Sequence, residues 1–243
     1  MKLTVPRLNG FDRRHMLGAI AAAPLAISVT PAQGCDEAMA KDWPNLSRYA
    51  ADNAIRIANN RSSDIVFMGD SITQGWPDKR PTFFGEGRVC RGIGGQTTPQ
   101  MVLRMMADVI ALAPKAVHIM AGTNDIAGNT GPMTAGQTMA NIAAMATLAK
   151  AHNIIVLIGS IPPAANFPWR PGLETAKAIV SLNAQLLTLS KAQQCYYVDY
   201  TFALATPDGA MKPGLAYDGV HPDIAGYAAM EDVLLPYLAR IDL

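Results

Sequence analysis

A serine, a histidine and an aspartate of this chain stand in loops of the kind that chemistry uses. Ser71 lies in Met68-Gly69-Asp70-Ser71-Ile72-Thr73-Gln74-Gly75, where an apolar run (Ile65, Val66, Phe67) turns sharply at small residues. Read alone, Gly-Asp-Ser is an ordinary turn tripeptide. Asp218 and His221 share the loop Asp218-Gly219-Val220-His221-Pro222. At that spacing a carboxylate can accept a hydrogen bond from one imidazole nitrogen and leave the other free to face a hydroxyl. A neutral serine attacks only when something removes its proton, and a base held by an orienting acid does so.

The other histidines compare poorly. His118 falls inside a buried-type strand and reads as a core residue, His152 at a helix carboxyl end has a structural reason to be there, and His15 lies in a removable leader. Acyl transfer also needs donors aimed at the developing oxyanion. Gly94-Gly95 offers backbone N–H groups with no side chain in the way, and Asn124 in Gly122-Thr123-Asn124-Asp125 can present an amide NH₂. In isolation Asn124 reads equally as a turn or cap residue. A phosphate cradle at Gly92-Ile93-Gly94-Gly95 lacks the glycine and lysine spacing of nucleotide loops.

Taken together and in this order, Gly69-Asp70-Ser71, Gly92–Gly95, Gly122–Asp125 and Asp218–Pro222 resemble the SGNH (GDSL-type) hydrolase superfamily, in its bacterial esterase and acetylhydrolase branch. The resemblance implies a metal- and cofactor-free serine ester hydrolase on a three-layer α/β/α sandwich with a flavodoxin-like, five-stranded parallel sheet. It implies Ser71 as nucleophile, His221 as general base and acid, Asp218 as its orienting carboxylate, and an oxyanion hole from Ser71 N–H, Gly95 N–H and the Asn124 side chain. Two departures stand out: Arg91 and Gln96 occupy places where many members have Asn and Asp. The absence of G-x-S-x-G argues against the α/β-hydrolase fold.

The elements that must position these loops follow from the pattern. Strands are expected at Ile65–Met68, around Val89-Cys90, at Ala116–Ala121, at Ile154–Ile161 and near Tyr196–Asp199, with helices between them. Thr97 or Thr98 with Pro99 starts one helix, Thr134 with Gln137 forms a capping box for another, and Ile224–Arg240 is the last. Alternating strands and helices imply a parallel sheet covered on both faces. The expected layout is a leader over 1–34, a linker and helix over 35–60, and one hydrolase domain over 61–243.

The whole chain has 243 residues, half of them apolar and 16% charged, with a formal net charge of +1. That is globular composition with no basic field for nucleic acid. Arg13-Arg14, a soft apolar run broken by Pro24, and Ala32-Gln33-Gly34 before Cys35 read as an export signal of twin-arginine type, leading to the periplasm or beyond. The run is too short for a transmembrane span. Acylation of Cys35 would make a lipoprotein, but Ala32 and Gln33 fit a lipobox badly.

Trp76, Arg91, Phe167, Trp169 and Arg170 follow strand ends and are expected to border the substrate. Aromatic and arginine side chains suit a sugar ring, so a short acyl ester of a carbohydrate or other small molecule is the first expectation. A lysophospholipase or thioesterase of the same family, a non-catalytic carbohydrate-binding protein and a serine protease are the rivals. Cys90 and Cys195 read either as a disulfide or as two buried thiols.

Overall fold

In the computed structural model, which describes residues 41–61, 63–85 and 87–243, apolar strand segments line up as five parallel strands. In chain order the elements are α1 (Ser47–Ala58), β1 (Ser63–Gly69), α2 (Ser71–Lys79), β2 (Gly87–Gly92), α3 (Thr98–Asp108), a 3-10 turn (Ile110–Leu112) and β3 (Ala116–Met120). There follow α4 (Thr123–Ala127), α5 (Ala135–Ala151), β4 (Ile155–Gly159), α6 (Thr175–Ala192), β5 (Tyr196–Val198), α7 (Thr201–Leu204) and α8 (Ile224–Arg240). The leader, its arginine pair and Cys35 lie outside the described residues. No helix among the described residues is long and apolar enough to cross a membrane.

Successive strand side chains point to opposite faces, so each strand feeds two cores. Val66 and Met68 of β1 pack with Val117 and Ile119 of β3 against Met101, Met105, Ile142, Met145, Leu182 and Leu186 from α3, α5 and α6. Ile65 and Phe67 face the other way, onto Trp76 of α2 and Tyr227, Met230 and Leu234 of α8. Helices on both faces make the three-layer sandwich.

Strand order is β2-β1-β3-β4-β5. The chain leaves β1 first toward β2 and later returns to β3 on the opposite side. At such a reversal the carboxyl ends of two adjacent strands open a crevice between diverging loops. Ser71 follows β1 and Asn124 follows β3, so both flank it. Helix caps place the loops: Asp70 accepts from Ile72 N–H at 3.0 Å to start α2, and reciprocal Thr134–Gln137 bonds start α5.

Cys90 lies in β2 at one edge of the sheet, and Cys195 directly precedes β5 at the other. Four strand spacings, on the order of 19 Å, separate the two edges. A disulfide between them is therefore impossible in this fold. Among the described residues both are free, half-buried thiols, each raised by burial.

Candidate active site

Ser71 is the first residue of α2, where its backbone N–H points out of the helix with no partner among the described residues. Its Oγ lies 2.9 Å from His221 Nε2. On the other side of the ring, His221 Nδ1 is 2.7 Å from Asp218 Oδ2. A carboxylate can only accept, so Nδ1 carries the proton and Nε2 is left as acceptor for the serine hydroxyl. Asp218 Oδ1 also accepts from the N–H groups of Val220 and His221, at 2.9 and 2.7 Å, which folds the loop around the carboxylate. Burial pushes Asp218 up, but the His221 and Val220 N–H groups and the His221 ring outweigh it and hold the carboxyl below its ordinary value.

The glycine block supplies the second wall. A Cβ on Gly92 would come 2.2 Å from Gln74 N, so β2 can run this close to α2 only with glycine there. Gly94 N–H is taken by Gln74 Oε1 at 2.6 Å. That leaves Gly95, whose φ of +76° turns its peptide and whose N–H has no partner among the described residues. Of the glycine pair, only Gly95 offers a free donor.

Asn124 completes the group, and its orientation follows from a chain of obligate donors. Trp169 Nε1 can only donate, and it lies 3.3 Å from Asn129 Oδ1. The Asn129 NH₂ must then face the other way, toward Asn124 Oδ1 at 2.8 Å and Gly95 O at 3.4 Å. This turns the Asn124 NH₂ inward. One of its hydrogens goes to Gln96 O at 3.0 Å, and the second has no partner among the described residues and can meet a ligand. Asp125, the next residue, has a structural duty: its buried carboxylate gathers Thr98 N–H and the Thr98 and Thr138 hydroxyls, tying α3 to α5.

The structure redistributes the residues expected to border substrate. Trp76 does not: it is fully buried, stacked on Phe83 and Tyr227 with centroids 5.4 Å away in each case, and donates to Glu231 Oε1. The stretch after Ser71 continues as a helix despite Gly75 and Pro77, which carries Trp76 back under the sheet. Arg91 is also withdrawn, its guanidinium buried on Asp52 and Asn53 of α1. Phe167 is buried and supports Trp169 in a 5.1 Å stack. Trp169 itself stands at the site, its ring 5.8 Å from His221. Arg170 is exposed on the same loop, and its side chain makes no hydrogen bond or ion pair among the described residues.

Three residues at the site were not singled out by sequence. Tyr217 stacks on His221 with centroids 5.7 Å apart, Gln74 holds Gly94, and Asn129 joins Asn124, Gly95 and Trp169. Asn129 follows Gly122–Asp125 closely but reads as part of an Asn-Thr-Gly turn.

Residues 67–229 match the family described as GDSL-like Lipase/Acylhydrolase. A GDSL-like lipase from Bacteroides thetaiotaomicron is 41% identical, with a TM-score of 0.76, covering 82% of this chain and 98% of its own. A provisional acylhydrolase from Bacteroides fragilis gives the same identity, score and coverage. An acetyl xylan esterase, 23% identical over 72% of this chain and 98% of its own, shares the fold with a TM-score of 0.58. No curated protein matches significantly.

Proposed function

Because this chain belongs to the GDSL-like lipase/acylhydrolase family, and so to the SGNH hydrolase superfamily, we propose that it is an exported serine ester hydrolase acting on short acyl, foremost acetyl, esters of a carbohydrate or small molecule. The reading rests above all on the relay of 2.9 Å from Ser71 Oγ to His221 Nε2 and 2.7 Å from His221 Nδ1 to Asp218. In this mechanism Ser71 Oγ gives its proton to Nε2 as it attacks the acyl carbonyl. The imidazolium that forms is stabilised by Asp218. Negative charge gathers on the former carbonyl oxygen, where Ser71 N–H, Gly95 N–H and the free Asn124 hydrogen meet it. The start of α2 adds the positive end of its dipole. His221 then protonates the departing alcohol; water, deprotonated by the same ring, attacks the acyl carbon, and the ring returns that proton to Ser71 Oγ as the acid leaves.

Two features favour a small acyl group. Trp169 and Tyr217 flank His221, and the Trp169–Asn129 hydrogen bond ties the loop over the site to the oxyanion wall. The leader with Arg13-Arg14 supplies the export part of the proposal. A panel of nitrophenyl esters and acetylated sugars, run on the parent protein and Ser71→Ala, tests the chemistry. We expect acetyl esters to be cleaved faster than long-chain ones and turnover to vanish in Ser71→Ala. Turnover that survives the substitution would refute the serine mechanism, and a preference for long chains would refute the acyl assignment.

A further inference from the structure

A cavity of about 520 Å³ opens beside Gly95, with Trp43, Asn45, Ile93, Gln100 and Asn129 among its walls. It borders the reacting centre through Gly94 and Gly95. Gly94 is also part of its lining, and a Cβ placed there would stand 3.6 Å from Ser71 Cβ. Its outer wall is Asp42–Ser47, a segment that precedes residues 67–229 and so lies outside the family match.

This wall is fastened to the oxyanion loop. Gln100 Nε2 donates to Trp43 O at 2.8 Å, and Gln96 Nε2 donates to Pro44 O at 2.7 Å. Both fastenings use backbone carbonyls, and the Trp43 indole, 38% exposed, makes no hydrogen bond among the described residues. The Asp42 carboxylate is spent on the N–H groups of Leu46 and Ser47, at 2.8 and 2.9 Å.

The lining selects a ligand class. Among the described residues it contains no lysine or arginine, so these offer a phosphate headgroup no counter-charge. Of its polar lining, the Gln96, Gln100 and Asn129 amides are already engaged within the protein, whereas the Asn45 NH₂ has no partner among the described residues and a fatty chain would leave it unpaired. An indole face beside neutral hydrogen-bonding groups suits a ring that is apolar on its faces and hydroxylated at its edge. We propose that this cavity is a subsite for an uncharged sugar ring of the substrate, stacked on Trp43 and lying beyond the ester that Ser71 attacks. The proposal rests on the ester-hydrolase reading above and goes further by assigning the substrate a second, recognised sugar.

The test compares full-length parent, Trp43→Ala and Trp43→Phe on 4-nitrophenyl acetate and on acetylated mono- and trisaccharides of xylose, glucose and galactose. The parent should prefer a trisaccharide to its monosaccharide. Trp43→Ala should lower kcat/KM on that trisaccharide about tenfold or more, through KM, while nitrophenyl acetate changes less than twofold and Trp43→Phe recovers most of the loss. Equal losses on all substrates, no loss on the trisaccharides, or a parent without trisaccharide preference would overturn it. So would Trp43-dependent cleavage of lysophosphatidylcholine. Calorimetric titration of the unacetylated trisaccharides into Ser71→Ala probes the subsite without chemistry. Binding abolished by adding Trp43→Ala supports the subsite even if catalysis fails, and no binding overturns the subsite even if nitrophenyl acetate is cleaved.

Discussion

Asn129 is the sharpest test of the oxyanion wall, because it touches no reacting atom in the proposed mechanism and acts through two groups that do. Its NH₂ holds Asn124 Oδ1 at 2.8 Å and reaches Gly95 O at 3.4 Å. In Asn129→Ala, Asn124 keeps its bond to Gln96 O but loses the one that sets which end of the amide faces inward. One such hydrogen bond contributes about 1 kcal/mol, so kcat should fall about five- to tenfold with KM little changed. Asn124→Ala removes a donor outright and should cost about 10²–10³ in kcat. If Asn129 works mainly by aiming Asn124, the double variant should lie within about threefold of Asn124→Ala, since there is nothing left to aim. Independent action would instead multiply the two losses. Asn129→Asp should be worse than Asn129→Ala, because it sets a carboxylate against Asn124 Oδ1 and turns the amide around. The assay is steady-state hydrolysis of 4-nitrophenyl acetate, with sites counted by burst titration. Multiplicative losses, or Asn129→Asp near parental activity, would refute the orientation argument.

Other consequences follow from burial. Asp70 is buried, and desolvation raises its carboxyl from 3.8 to about 6 despite the Ile72 N–H. The fold therefore favours the protonated form: no cost falls on stability below about pH 4, and the full cost, about 3 kcal/mol, is present above about pH 6. Asp70→Asn, which keeps an acceptor for Ile72, should gain stability over the parent at pH 8 and little at pH 4; urea unfolding showing the same difference at both would refute this. Trp76→Ala should lose about 3–5 kcal/mol in urea unfolding, with KM unchanged in whatever folded fraction remains; a raised KM at parental stability would return Trp76 to the substrate wall. Arg104 and Asp108 form a fully buried ion pair at 2.8 Å, so Arg104→Met should cost about 3–5 kcal/mol, and adding Asp108→Leu should restore only part of it, because Gln96 Oε1, Arg91 O and Asn53 Nδ2 still lose buried partners; urea unfolding measures both. In non-reducing denaturant both Cys90 and Cys195 should react with a thiol reagent.

What the sequence disclosed and what it hid divide along physical lines. Strand faces, capping boxes and the final helix were legible because each is a local pattern: Thr134–Gln137 and Ile224–Arg240 appear in the structure as expected. The polar blocks could be placed at strand ends because apolar runs stop where they begin. Trp76 was misplaced because Gly75 and Pro77 disguise a helix, so an aromatic bound for the core looked like a loop residue. Asn129 and Tyr217 were invisible for a different reason. Their importance lies in contacts made across the crevice, to Trp169 and to His221, and no local pattern encodes those partners.

Arg91 and Gln96 carry the same point further. Against the superfamily pattern they look like erosion of the glycine block, yet neither is idle. Arg91 reaches Asp52 and Asn53 of α1, while Gln96 accepts from Arg104 Nη1 at 2.6 Å and donates to Pro44 O. Arg104 also donates to Arg91 O at 2.6 Å, and Tyr49 donates to Gly92 O at 2.5 Å. Buried charges persist only when such partners surround them, so these substitutions are intelligible only together with α1 and the segment before it. They convert the back of the Gly92–Gln96 loop into an anchorage for Asp42–Ala58. The same anchorage holds Trp43 at the cavity rim, which links the departure from the family pattern to the proposed sugar subsite. A relative with Asn and Asp at these two places should lack the anchorage, and with it the wall that Trp43 provides.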